Sequence, residues 1–219
     1  MKEHLEQTEQ GAVQWKLEEQ TKTLCGEPVL ELSLSWPEIK HKPLRNANRY
    51  YGRLKEEWKR QWERDVYISA CVDLAEQRAQ SRPFKPWKVS LKGRVMLEGE
   101  ELLSIAMEAR EVHGDGRALV CGWGDTWRVK DGMPVGLKEL LPRSGGWKKQ
   151  MKQRIQTALE GCAQQGVYLD GLDPDTWKTC IHPGRFAVTG EHMLLFVPQC
   201  TIAPAVEGVV ELLIPRTKA

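Results

Sequence analysis

Two periodicities divide the chain. Residues 29–36 alternate strictly, with Leu30, Leu32, Leu34 and Trp36 on one side and Glu31, Ser33 and Ser35 on the other, which predicts a half-buried strand that Pro37 ends. The same period returns at 88–97, where Val89, Leu91, Val95 and Leu97 oppose Lys88, Ser90, Lys92 and Arg94. Glu98-Gly99-Glu100-Glu101 then makes a turn into Leu103, Ile105, Met107 and Ala109, the spacing of a returning hairpin arm. His113-Gly114-Asp115-Gly116 turns again into 117–129, so three consecutive strands form a meander. Two closing strands follow, one pairing 185–188 with 193–198, the other at 209–214.

Between 46 and 80 the period changes: Tyr51, Leu54, Trp58, Trp62, Val66, Ala70 and Leu74 recur at steps of three and four with only Gly52 as a weak interruption. This is one long amphipathic helix, its outer face carrying i,i+4 pairs such as Glu56 with Arg60 and Lys59 with Glu63. A second helix carries Trp147, Met151, Ile155, Ala158, Leu159 and Cys162 on one stripe, with Ser144 placed to cap it. Leu137 to Leu141 reads as a short helical turn, and Asp173-Pro174 as a cap followed by proline ahead of Trp177. The expected architecture is α+β: an antiparallel sheet, meander plus C-terminal strands, with one long and one shorter helix packed on one face. Residues 1–20, polar and only weakly periodic through Val13 and Leu17, read as an N-terminal arm or edge element, and 21–219 as one domain.

Composition narrows partners more than it names them. Hydrophobic residues make up 41% and charged residues 28%, enough apolar content to build a core. Thirty-two basic against 30 acidic side chains give a charge of +2, which supplies no field for nucleic acid. No stretch nears the roughly 20 apolar residues of a membrane span, and residues 1–10 are not built as a signal peptide. The expectation is a cytoplasmic protein, or a cell-surface one if an upstream anchor has been removed. The six cysteines, at 25, 71, 121, 162, 180 and 200, show no C-x-x-C pairing and read as reduced, mostly buried thiols; in an exported protein they would allow 15 pairings.

The segment Gly184-Arg185-Phe186-Ala187-Val188-Thr189, then 194–198, Ile202-Ala203-Pro204, and 208–215 resembles the closing signature of the RsiV-like domain family. Leu103-Ser104-Ile105 resembles its central strand, Asp131-Gly132 with 137–141 its strand-to-helix step, and Asn46 and Asn48 fall where its first helix carries an Asn. The resemblance spans about residues 30–215. It implies a non-catalytic α+β domain, found as the lysozyme-binding sensor of anti-sigma factors and beside polysaccharide deacetylase domains. The present chain departs from the sensors in having no membrane helix and no sigma-factor-binding segment, and Gln199-Cys200-Thr201 replaces the Tyr-containing step before the Ile-Ala-Pro turn.

Candidate chemistry is sparse. Gly145-Gly146-Trp147-Lys148-Lys149 resembles a phosphate-binding helix start, but no G-x-x-x-x-G-K-[ST] run exists. Cys180, His182 and His192 are the residues a metal enzyme or hydrolase would use, although paired zinc-ligand spacing, the G-x-S-x-G elbow and H-E-x-x-H are all missing. No cofactor or metal is expected. Trp123 and Trp127 stand four apart around glycines, so on a strand they share one face. If that face is open they are a ligand platform for a glycan or a protein; if a helix covers it, they are core. The sequence thus points first to a non-catalytic binding or sensor module for a lysozyme-like protein or a cell-wall glycan. An enzyme using Cys180, His182 and His192, and a cytosolic scaffold, remain as alternatives.

Overall fold

The computed structural model describes residues 11–141 and 146–216. Its first element is a strand, β1 (Val13–Leu24), paired antiparallel along its whole length with β2 (Glu27–Ile39). What the sequence presents as a polar arm is thus, from Val13 on, the outer strand of a sheet. Its polarity follows from that position, because an edge strand leaves one rim in water and charged side chains there oppose further pairing. Residues 1–10 lie outside the described residues.

Strand β2 does not stop at Pro37. The Lys40 N–H to Ala12 carbonyl bond, 2.7 Å, sets the phase of the ladder, so Pro37 turns its missing donor away from β1. On that side β2 is paired only from Leu30 to Leu34, and no ladder bond is lost. Two residues on, the Ile39 N–H and C=O face the same empty side, and the Asn48 side-chain amide takes both, at 2.7 and 2.8 Å. Asn48→Ala is expected to cost about 1–2 kcal/mol by orphaning a main-chain pair, read as a lower urea midpoint at unchanged slope.

Helices α1 (Arg45–Gln61) and α2 (Tyr67–Ala79) run on without a break through a π-helical turn, Trp62–Val66. The cause is legible in the spacing. Trp58, Trp62, Val66, Ala70 and Leu74 recur every four residues, and in an α-helix of 3.6 residues per turn each such step over-rotates by about 40°. A widened turn, closed by the Tyr67 N–H on the Trp62 carbonyl, absorbs that drift and keeps the stripe on the sheet.

The helix carries the chain over to β3 (Trp87–Glu98), which pairs parallel with β2. This corrects the all-antiparallel expectation: a connection this long, with its own apolar stripe, is a βαβ crossover. From there β4 (Leu102–Val112) and β5 (Ala118–Arg128) complete the meander in the order β1-β2-β3-β4-β5. After α3 (Leu137–Leu140), α4 (Trp147–Gln164) and α5 (Thr176–Thr179) comes a separate antiparallel sheet of β6 (Phe186–Val188), β7 (His192–Val197) and β8 (Val210–Pro215). Ser144, proposed as the α4 cap, and Gly145 lie outside the described residues.

The two sheets stack, and their facing sides explain why they remain separate. Leu91, Ile105, Met107 and Trp127 face the α1–α2 helix, whereas Met96 and Ala106 face Ala187, Leu194 and Phe196 of the second sheet. The buried Ser104 hydroxyl accepts the Val188 N–H at 2.9 Å and bonds Thr126 at 3.0 Å, a polar tie between the sheets. On its other side the second sheet packs Phe186, Met193, Leu195 and Leu212 against Met151, Ile155 and Leu159 of α4. The layers are therefore helix, sheet, sheet, helix. The helices lie on opposite outer sides, not together on one face, because each sheet buries one face on the other.

Candidate binding site

Strand β5 places Trp123, Asp125 and Trp127 on one face, and α1 covers that face. Trp127 is buried, and its indole N–H donates to the Tyr51 hydroxyl at 3.1 Å. Trp123, half-buried, lies stacked at 6.2 Å on Trp58 of α1. The two indoles pack beneath a helix, so they do not form an open platform: the stripe on α1 needs an apolar partner, and the meander supplies it.

Asp125 sits between them. Its Oδ1 accepts the Tyr50 hydroxyl at 3.1 Å, while its buried Oδ2 has no hydrogen-bond partner among the described residues. Burial pushes this carboxyl up to about 6, against the opposing pull of the Tyr50, Tyr51 and Trp123 donors. Burial first, and then the nearby Asp125 carboxylate, hold the Tyr50 and Tyr51 phenols above their ordinary range.

The residues of the metal reading are not brought together. Cys180 is buried in the core between α4 and the second sheet, and desolvation pushes its thiol up to about 11. His182 accepts the Gly184 N–H through Nδ1 at 3.2 Å, a turn contact, and His192 opens β7. Among the described residues no group of three or more His, Cys, Asp or Glu side chains converges as a ligand set. Nor are the thiols mostly buried: all six are free, and Cys25, Cys121 and Cys200 are exposed.

An open groove lies elsewhere, between α4 and the segment 167–177. It encloses about 800 Å³, with Ile155, Leu159, Val167 and Leu169 as its apolar wall and Trp177 and Tyr168 as its rings. Tyr168 is 63% exposed and Leu172 49%, unusual for large apolar side chains, while Trp177 is half-buried. Lys152, Gln156 and Glu160, successive outward positions of α4, supply polar groups along one side. Asp173 accepts the Asp175 N–H at 2.7 Å and the Thr176 hydroxyl at 3.1 Å, closing the turn that leads into α5, whose N-cap position is Asp175 and not Asp173.

The groove is held open by the C-terminal turn. Asp170 donates its N–H to the Ile202 carbonyl at 2.8 Å, and Glu207 accepts the Tyr168 N–H at 3.2 Å. The Ile202-Ala203-Pro204 turn, singled out by resemblance, thus braces the segment bearing Tyr168. Sequence reasoning passed over Tyr168 and Leu172; the available signal was a run of apolar and aromatic residues, 167–172, inside a Gly- and Asp-rich connection.

No family model matches the sequence, and no curated protein matches it. Solved structures do. One, a member of the DUF3298 family from Bacteroides fragilis NCTC 9343, superposes with a TM-score of 0.61 at 13% identity, over 94% of this chain and 91% of its own. A DUF3298 family protein from Pseudomonas aeruginosa PAO1 gives 0.60 at 15% identity, over 93% and 89%. The chain has the DUF3298 fold. At such identities the likeness is one of fold alone. Within the DUF3298 fold of this chain, no helix among the described residues is long and apolar enough to cross a membrane.

Proposed function

We propose that this domain is a non-catalytic binding module that holds a glycan in the groove between α4 and 167–177. The observation that carries the proposal is the pairing, in one open groove, of two aromatic rings, Tyr168 and Trp177, with the amide of Gln156 and the carboxylate of Glu160. Sugars present an apolar C–H face that stacks on flat rings and a rim of hydroxyls that bond amides and carboxylates. The volume, about 800 Å³, falls in the range of ligand sites. The resemblance of the C-terminal segment to RsiV-like domains supports the same class of role, a sensor or accessory domain for cell-wall material.

A protein ligand of the lysozyme type is the second reading. It is favoured by Leu172 and by Val206, 88% exposed and next to the Glu207 that bonds Tyr168, which extend the apolar surface beyond the groove. Titration with soluble peptidoglycan fragments is expected to change tryptophan fluorescence and release heat, and Trp177→Ala to weaken the binding at least tenfold. Gln156→Ala, on the exposed side of α4, tests the same contact without touching the core. Saturable heat with lysozyme but none with fragments selects the second reading; silence with both removes the function.

A further inference from the structure

The turn of the β1–β2 hairpin and the helix above it each carry a cysteine, and a run of contacts sets the two opposite one another. Lys22 pairs with Glu63 at 2.7 Å, the Tyr67 hydroxyl donates to the Thr23 carbonyl at 2.9 Å, and Arg78 pairs with Glu27. Advancing along the helix through 63, 67 and 78 therefore advances along the hairpin through 22, 23 and 27. Cys71 stands one turn after Tyr67 on the same side of α2, and Cys25 stands between Thr23 and Glu27. Both cysteines thus fall in the interval between the Tyr67 and Arg78 contacts, one on each side of it. Val29 of β2 packs there on Ala70 and Leu74, and Cys71 is half-buried in the same cluster.

The two thiols also share a neighbour. The Tyr67 phenol is held above its ordinary range first by the adjacent Cys71 thiol, then by desolvation and the charge of Cys71, and last by that of Cys25. Cys25 itself is exposed and, with Gly26, makes the hairpin turn in the left-handed region, at φ 51° and 86°. Hairpins give such places to Asn, Asp or Gly, so turn chemistry does not account for a cysteine at 25.

We propose that Cys25 and Cys71 are a redox pair that closes to a disulfide between the hairpin turn and α2 when the protein meets a low-molecular-weight disulfide of the glutathione class. The exposed Cys25 thiolate attacks the small disulfide, forms a mixed disulfide and expels one thiolate; the Cys71 thiolate then attacks the Cys25 sulfur and expels the second. The protein pair gives up two electrons, its two protons end on the two released thiols, and the small disulfide is reduced. Bridging needs the Cα atoms within about 7 Å. The turn has room to close on the helix, since nothing lies within 4 Å of where a Cβ at Gly26 would stand. Once formed, the bond ties β1 and β2 to the crossover helix and restricts the unfolded chain. The pair belongs to the first sheet and does not depend on the groove of the proposed glycan.

The whole chain, fully reduced, is treated with glutathione disulfide, quenched with an alkylating agent, digested and read by mass spectrometry. The expected product is lighter by two hydrogens, with the peptide of Cys25 joined to that of Cys71 at least tenfold faster than any other pairing among the six thiols. In urea that preference is expected to vanish, a comparison that needs no variant. The oxidised protein is expected to unfold at higher urea than the reduced one, a gap closed by dithiothreitol and absent in both Cys25→Ser and Cys71→Ser. Glutathione left on Cys25 beside an alkylated Cys71, a different pairing formed first, or the same pairing rate in urea as in buffer would overturn the proposal.

Discussion

Gly124→Ala is expected to separate the two sheets. A Cβ at this position would lie 2.4 Å from the Phe186 carbonyl oxygen and 2.7 Å from the Ala187 Cβ, contacts with the backbone of β6 that no rotamer can relieve. The neighbouring Gly122 faces the side chains of Val209 and Phe196, 3.0 and 3.2 Å from where a Cβ would lie, a tight but softer contact, so β5 meets the second sheet through two positions without side chains. Strand β5 and Arg185 are close enough there to form a parallel bridge at Gly124. Close-packed interiors do not yield locally, and overpacking against main chain costs about 3 kcal/mol. For a chain of this size that is a fall in melting temperature of roughly 10 °C. Because Ser104 would lose its Val188 partner as the sheets part, retained hydrogen-exchange protection at Val188 together with an unshifted urea midpoint would show the packing argument to be wrong.

Asp125→Asn is expected to stabilise the protein at neutral pH and to do nothing in acid. In the folded chain the carboxyl titrates near 6, above its ordinary 3.8, because burial disfavours its charged form. The folded state therefore keeps a proton that the unfolded state gives up between these values. Stability is full below about pH 4, declines as pH rises through 6, and above that carries a deficit of about 3 kcal/mol. An amide keeps the Tyr50 contact and has no proton to lose, so Asn recovers about 2 kcal/mol of that deficit at pH 8. Urea midpoints of the two proteins should coincide at pH 4 and diverge steadily up to pH 7. Parallel curves throughout would mean that the Asp125 carboxyl is not the group responsible.

Much of this molecule is legible along the chain. The meander, the closing strands and the stripe of α4 follow from period two and period 3.6, since each element must bury one face. The π turn is also written there, in five apolar residues spaced by four. The parallel pairing of β2 and β3 was not, because alternation says which face a strand buries but not its neighbour or its direction. Pro37 misled for the same reason: it ends a strand only where a donor is needed, and here β3 has already departed.

The sites divide in the same manner. Trp123 and Trp127 were correctly placed on one face, yet whether that face is a platform or core depended on α1, seventy residues earlier, lying across it. Tyr168 and Leu172 carry no periodicity, and the segment that bears them is held by single contacts from a distant turn, the Asp170 N–H on the Ile202 carbonyl and the Tyr168 N–H on Glu207.

The sequence alone determined most of the elements, though not β1 as a full strand or the run of β2 past Pro37, together with the small residues that let two sheets meet, because these depend on local periodicity and side-chain size. Only the tertiary structure decided which faces meet, which carboxyl is buried and which edges and grooves stay open. Those are properties of residues far apart in the chain, set by the requirement that every apolar face find a partner, and what remains uncovered is the surface left for function.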